Sequence, residues 1–204
     1  MLDRNLRVYK EQLLDPVARQ IGQDIHPTTI TVAGAFVGVA AGVAGWQQAY
    51  WLGLVLWLLN RVLDGLDGTV ARRTGQQSDL GGYIDILLDD LVYSVIVLLL
   101  AIGINTVPAY IAAGFLLVNY RVNAASWMYL SSVLEKRAMG AKSSGEMTSI
   151  TMPPGLVEGT ETVAFYIAFF VFPGLITPLF WVFGVLIALT TIQRVVWATR
   201  NLSQ

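Results

Sequence analysis

The chain is 204 residues long, 55% hydrophobic and only 13% charged, with a formal net charge of −1 and a mean hydropathy of +0.59. That balance excludes an ordinary soluble domain and a basic nucleic-acid binder, and it puts the chain in a bilayer. The absence of cysteine removes disulfides and thiolate metal sites from consideration.

The first 25 residues are too charged for a signal peptide. Leu2, Leu6, Tyr9, Leu13 and Val17 recur at helical spacing, with Asp3, Arg4, Arg7, Lys10 and Glu11 on the other side. The pattern predicts an amphipathic helix over 1–25 lying in the membrane interface and ended by His26 and Pro27, with His26 structural. Residues 27–200 predict an all-α bundle of six transmembrane helices. Apolar runs cover 29–48, 50–63 and onward into a polar stretch, 86–103, 107–133, 162–176 and 178–198. Hydrocarbon needs about 20 residues per helix, and no period-two alternation suggests a barrel. No repeat or linker divides the chain, so 1–204 reads as a single membrane-embedded domain. In the first run Gly34, Gly38 and Gly42 fall four apart, leaving a bare face that lets another helix approach closely.

The second run leads into "LDGLDGTVARRTGQQSDLGGYIDILLDD", residues 63–90, with six aspartates. It reads as two helices joined by a tight turn. The first runs from Tyr50 through Arg73 and stops at Gly75, and Ser78 or Asp79 caps the second. Asp79 needs no role beyond that cap. Folded between Gln76 and Gln77, the hairpin sets Asp64 level with Asp89, and Asp67 beside Asp85. Asp64, Asp67, Gly68 and Ala71 share one helix face, and Gly81, Asp85 and Asp89 share the facing one. An uncompensated aspartate in a membrane helix costs roughly 2.5–3.5 kcal/mol, so a cation is required. Arg61, Arg72 and Arg73 are near in sequence, but arginines at a helix end can snorkel to water. Hard divalent cations answer better, because Mg²⁺ takes carboxylates together with phosphate oxygens. Gly68, Ala71 and Gly81 leave room for a bulky ligand, and Arg72 offers a fork of donors to phosphate.

These residues resemble the full signature of the CDP-alcohol phosphotransferases, D-x2-D-G-x2-A-R-x8-G-x3-D-x3-D, with every spacing kept from Asp64 to Asp89. The resemblance implies transfer of the phosphatidyl-type group of a CDP-alcohol, usually CDP-diacylglycerol, to an acceptor hydroxyl with release of CMP. It implies two Mg²⁺ or Mn²⁺ ions held by Asp64, Asp67, Asp85 and Asp89, with Asp89 also the catalytic base. Asp67, Gly68, Ala71, Arg72 and Gly81 would line the nucleotide pocket. It further suggests a homodimer in a prokaryotic plasma membrane. Two departures stand out. "PTTIT" keeps Pro27 and Thr31 but has Thr28 where asparagine is common. Asp90 follows Asp89 where an apolar residue is usual; one residue is about 100° of helix, so Asp90 should point away, toward a polar partner or a dimer contact.

Beyond the hairpin, Arg121, Lys136, Arg137 and Lys142 are topology determinants or headgroup contacts, with an acceptor-binding role possible for Arg121 first. Glu158 and Glu161 open the fifth run, where acids favour the helix dipole or contact an acceptor. The tryptophans suit an interfacial belt. All thirteen Lys and Arg lie in the N-terminal segment, the second-to-third and fourth-to-fifth connections, and near the C-terminus. Both termini and the active site are therefore expected on the cytoplasmic side. The main rival, a divalent-cation transporter or channel, predicts acids spread through the membrane, yet the outer halves of the runs have none. The intact acidic set also opposes an inactive scaffold.

Overall fold

The computed structural model describes residues 14–21, 24–137 and 155–202, which are helical throughout apart from short turns and contain no strand. Helices α1 (Pro27–Trp46), α2 (Tyr50–Thr74), α3 (Asp79–Ile104), α4 (Val107–Lys136), α5 (Gly159–Val171) and α6 (Ile176–Leu202) follow in order, with a 3-10 turn at Pro173–Leu175 before α6. Three stretches are long and apolar enough to cross a membrane: α1, α3, and the 3-10 turn with α6; α5 is apolar but has 13 residues. The sixth stretch starts earlier than its run suggested. The expected fifth run, 162–176, contains Pro173, which cannot continue a helix and separates α5 from α6.

Local chemistry sets the boundaries around the polar stretch. Gly75 takes the left-handed conformation at φ 67° that ends α2. Ser78, rather than Asp79, caps α3: its hydroxyl accepts from the Gly81 N–H at 3.0 Å. Asp79 is the first helical residue, where its charge favours the N-terminal end of the dipole. At the opposite end of the helices, Gln48 Nε2 donates to the Gly103 carbonyl at 2.9 Å, tying the α1–α2 turn to the end of α3.

α1 lies against both α2 and α3, and its glycine stripe is consumed by that packing. A Cβ at Gly38 would fall 2.5 Å from Val92 Cγ1, and one at Gly42 3.3 Å from the Ile96 backbone. The close approach that a bare face permits is thus made inside the chain. A core of Trp57, Tyr166, Phe169, Phe180 and Phe183, all almost fully buried, joins α2 to α5 and α6, and α4 packs on α6. Of the expected N-terminal amphipathic helix, Leu2, Leu6, Tyr9 and Leu13 lie outside the described residues. Residues 14–21 are helical, and Leu14 and Ala18 bury against Ile30, Leu66 and Val70, while Val17 is exposed. Asp15 pairs with Arg73 and, at 3.1 Å, with Arg19, fastening this segment to the end of α2.

Candidate active site

Where α1, α2 and α3 meet, Asp64, Asp67, Asp85 and Asp89 line one pocket, with Thr31 and Asn60 as its other polar walls. The helical spacing that predicted two facing acidic rows is what brings them there. Asp67 is buried; its Oδ1 accepts from the Gly68 N–H at 2.5 Å, and its Oδ2 is buried without a hydrogen-bond partner. A carboxylate oxygen left so is costly unless a cation or donor reaches it. An all-oxygen donor set with an orphaned buried acceptor fits a hard divalent cation in kind. As the side chains stand, however, no three acidic groups among the described residues converge at metal-ligand spacing.

Among these acids stands Arg61, whose destination differs from the helix-end snorkelling open to it in the sequence. Its side chain is only 11% exposed. Nη2 and Nη1 donate to the two oxygens of Asp89 at 2.7 and 3.3 Å, and Nη1 lies 3.8 Å from Asp64 Oδ2. Asn60 Oδ1 accepts from Nε at 2.9 Å and from Nη2 at 2.7 Å, and the Tyr93 hydroxyl accepts from Nη1 at 2.8 Å. The guanidinium carbon sits 4.6 Å from the centre of the Trp57 ring and 5.0 Å from that of Tyr93. Asn60 is itself held by the Gly34 carbonyl at 2.8 Å.

The remaining signature residues lie toward the hairpin, outside the pocket wall. Arg72 folds back over Gly68, where a Cβ would fall 3.1 Å from its Nη1, and a Cβ at Gly81 would meet Ser78 Oγ at the same distance. Ala71 is half-buried on the same helix. Asp90 does turn away from the acids: Arg121 Nη1 donates to its Oδ2 at 2.5 Å. Glu158 and Glu161 form a reciprocal capping box at the start of α5, with the Glu158 N–H donating to Glu161 at 3.0 Å. Arg137 donates to the Leu202 carbonyl at 3.0 Å, Lys136 is exposed at the end of α4, and Lys142 lies outside the described residues. A buried polar seam stood outside the sequence pattern. Arg194, read only as a topology charge, is 6% exposed and donates to Asn123 Oδ1 at 2.7 Å, beside the Val157 N–H to Thr190 bond of 3.0 Å. Its helical spacing from Thr190 and Ile187 was the available signal.

The profile of the family described as CDP-alcohol phosphatidyltransferase matches residues 24–196. The chain belongs to the CDP-alcohol phosphatidyltransferase family. It is 33% identical over 199 residues to "Inner membrane protein YnjF" of Escherichia coli K12, covering 96% of this chain and 94% of that relative. It is 28% identical over 99 residues to the archaetidylinositol phosphate synthase of Pyrococcus horikoshii, covering 48% of this chain and 53% of that one. In fold it resembles the Mycobacterium tuberculosis phosphatidylinositol phosphate synthase PgsA1 with CDP-DAG bound. The TM-score is 0.73 at 20% identity, over 92% of this chain and 94% of that one. The same enzyme in complex with manganese and citrate gives a TM-score of 0.70 at 21% identity, over 90% and 88%. As a CDP-alcohol phosphatidyltransferase the chain is a transferase of phospholipid head-group synthesis and an integral membrane protein, and the transporter reading falls.

Proposed function

We propose that the chain transfers the phosphatidyl group of CDP-diacylglycerol to an acceptor hydroxyl and releases CMP. The observation that carries this reading is the meeting of Asp64, Asp67, Asp85 and Asp89 in one pocket at the crossing of α1, α2 and α3. The CDP-DAG and manganese bound to the M. tuberculosis fold relative support the donor and the metal. Asp64, Asp67, Asp85 and Asp89 would hold two divalent cations, Mg²⁺ or Mn²⁺. Those ions would neutralise the pyrophosphate and stabilise CMP as leaving group. Gly68, Ala71, Arg72 and Gly81 would line the nucleotide pocket on the hairpin side, with the Arg72 guanidinium, which lies over Gly68, turning to the phosphates. The acceptor oxygen attacks the β-phosphorus, the bond to the CMP oxygen breaks, and Asp89 takes the hydroxyl proton, a role that requires one of its oxygens to give up its bond from Arg61.

Several further features belong to the same reading. All six helices cross the membrane within a single domain. The hairpin and both termini face the cytoplasm, and the protein sits in a prokaryotic inner membrane, as the name of the E. coli relative says of that protein. The active form is a homodimer. Arg121, Lys136, Arg137 and Lys142 offer cations to a phosphorylated acceptor, and Glu158 and Glu161 take part only by leaving their cap. The test is to incubate purified protein with CDP-diacylglycerol, Mg²⁺ and a panel of alcohols, including glycerol phosphate, inositol phosphate and serine, and identify the lipid product by mass spectrometry. A new phospholipid with stoichiometric CMP is expected; no product with any acceptor, and activity no higher than that of Asp64→Ala, would refute the reading.

A further inference from the structure

We propose that Arg61 is the resident counter-ion of the acidic pocket, positioning Asp89 against α2 and competing with a divalent cation for it; this rests on the metal-dependent reading above. The guanidinium is fixed from four sides: by Asn60 through two bonds of 2.9 and 2.7 Å, by the Tyr93 hydroxyl at 2.8 Å, and by the Trp57 and Tyr93 rings. These anchors are themselves anchored. Asn60 donates to the Gly34 carbonyl of α1 at 2.8 Å, and Tyr166 donates to the Tyr93 carbonyl at 2.8 Å while stacking on Trp57 at 4.9 Å. Asp89, at 31% exposure against 11% for Arg61, is the partner with room to move. In the absence of an ion, a buried arginine and a cluster of carboxylates each need the other. A bound ion would share Asp89 with Arg61, taking over part of the charge compensation while Arg61 still holds the side chain against α2, and the two cations would repel.

This arrangement predicts the opposite of an ordinary supporting role. A residue that merely orients a metal ligand weakens binding when removed, typically by about 10–100-fold. Removing Arg61 should instead tighten metal binding, because it frees both oxygens of Asp89 and deletes a nearby positive charge. Catalysis should suffer nonetheless, since Asp89 loses its fixed position while the nucleotide cradle on the hairpin is untouched.

The test uses the full chain purified in detergent without nucleotide, titrated with Mn²⁺ while free Mn²⁺ is followed by electron paramagnetic resonance. Arg61→Gln is expected to lower the Kd for Mn²⁺ about tenfold. Its kcat with CDP-diacylglycerol and Mg²⁺ should fall about tenfold or more, with donor KM changed less than about twofold. Arg61→Lys, which keeps the charge without the fork, should recover part of kcat and bind Mn²⁺ with intermediate strength. Tyr93→Phe should move Mn²⁺ affinity in the same direction by less. Wild-type protein that binds Mn²⁺ while Arg61→Gln binds it equally or more weakly overturns the role of Arg61 alone. If Arg61→Gln does not fold, Arg61→Lys decides in its place, and Mn²⁺ affinity no higher than wild type overturns the inference. Wild-type protein that binds no Mn²⁺ overturns the metal reading together with it.

Discussion

Asp89 and its three companions are the residues on which chemistry and stability pull in different directions. Four carboxylates in one pocket repel, and one of them leaves an oxygen buried without a partner. Asp64→Ala and Asp67→Ala are expected to abolish CMP release, and Asp89→Asn to lower kcat by about 10²–10⁴-fold with little change in donor KM, by steady-state assay. The Arg121 pair with Asp90 is different in kind. Arg121 is 66% exposed but Asp90 only 14%, so Arg121→Ala should cost about 1 kcal/mol of stability or somewhat more, because Asp90 stays behind largely buried. If Arg121 receives a phosphorylated acceptor, the same variant raises acceptor KM alone. At this scale the sequence was legible wherever spacing decides geometry: the aspartates share faces because a helix makes them do so. Asp90 followed the same rule, turning about 100° away to find Arg121. Arg61 was not legible. A helix-end arginine either reaches water or turns inward, and here Tyr93 from α3 and Trp57 one turn earlier on α2 decided the matter, contacts that no local pattern displays.

At the scale of elements, the hairpin and the α1 crossing are what hold the acids in one pocket. Gly75 has φ 67°, so Gly75→Ala should cost about 1 kcal/mol or more, and Ser78→Ala about 0.5–2 kcal/mol, measured as loss of thermal stability in detergent. Gly38→Leu should be worse, because even a Cβ there meets buried Val92 at 2.5 Å; overpacking of this kind costs about 1–3 kcal/mol and would splay α1 from α3. A Gly38→Leu protein as stable as wild type would show that this crossing is loose. The end of α2 and the start of α3 were readable because a terminal glycine and a capping serine carry their reasons locally. The use of the glycine stripe was not, since a bare face says that something approaches without saying whether it is α2 and α3 of the same chain or a second copy. Glu158 and Glu161 were similarly ambiguous until the capping box formed.

For the whole molecule, the distribution of charge and the position of the pocket make a joint claim about orientation. The chain has no native cysteine, so single substitutions report topology cleanly. Gln77→Cys in the hairpin should react with an impermeant maleimide only from the cytoplasmic face, and Gln47→Cys at the other end of α1 only from the opposite face. Labelling of both from one side would undo the arrangement of spans. Whether the pocket of four aspartates carries a divalent-cation-dependent transfer from CDP-diacylglycerol is decided by CMP release from purified protein as Mg²⁺ is removed with a chelator and restored. Release should vanish on chelation, return with Mg²⁺ or Mn²⁺, and be absent from Asp64→Ala under all conditions. Release that persists without divalent cations, or equally in the Asp64→Ala protein, would rule out a metal-dependent transfer at these aspartates.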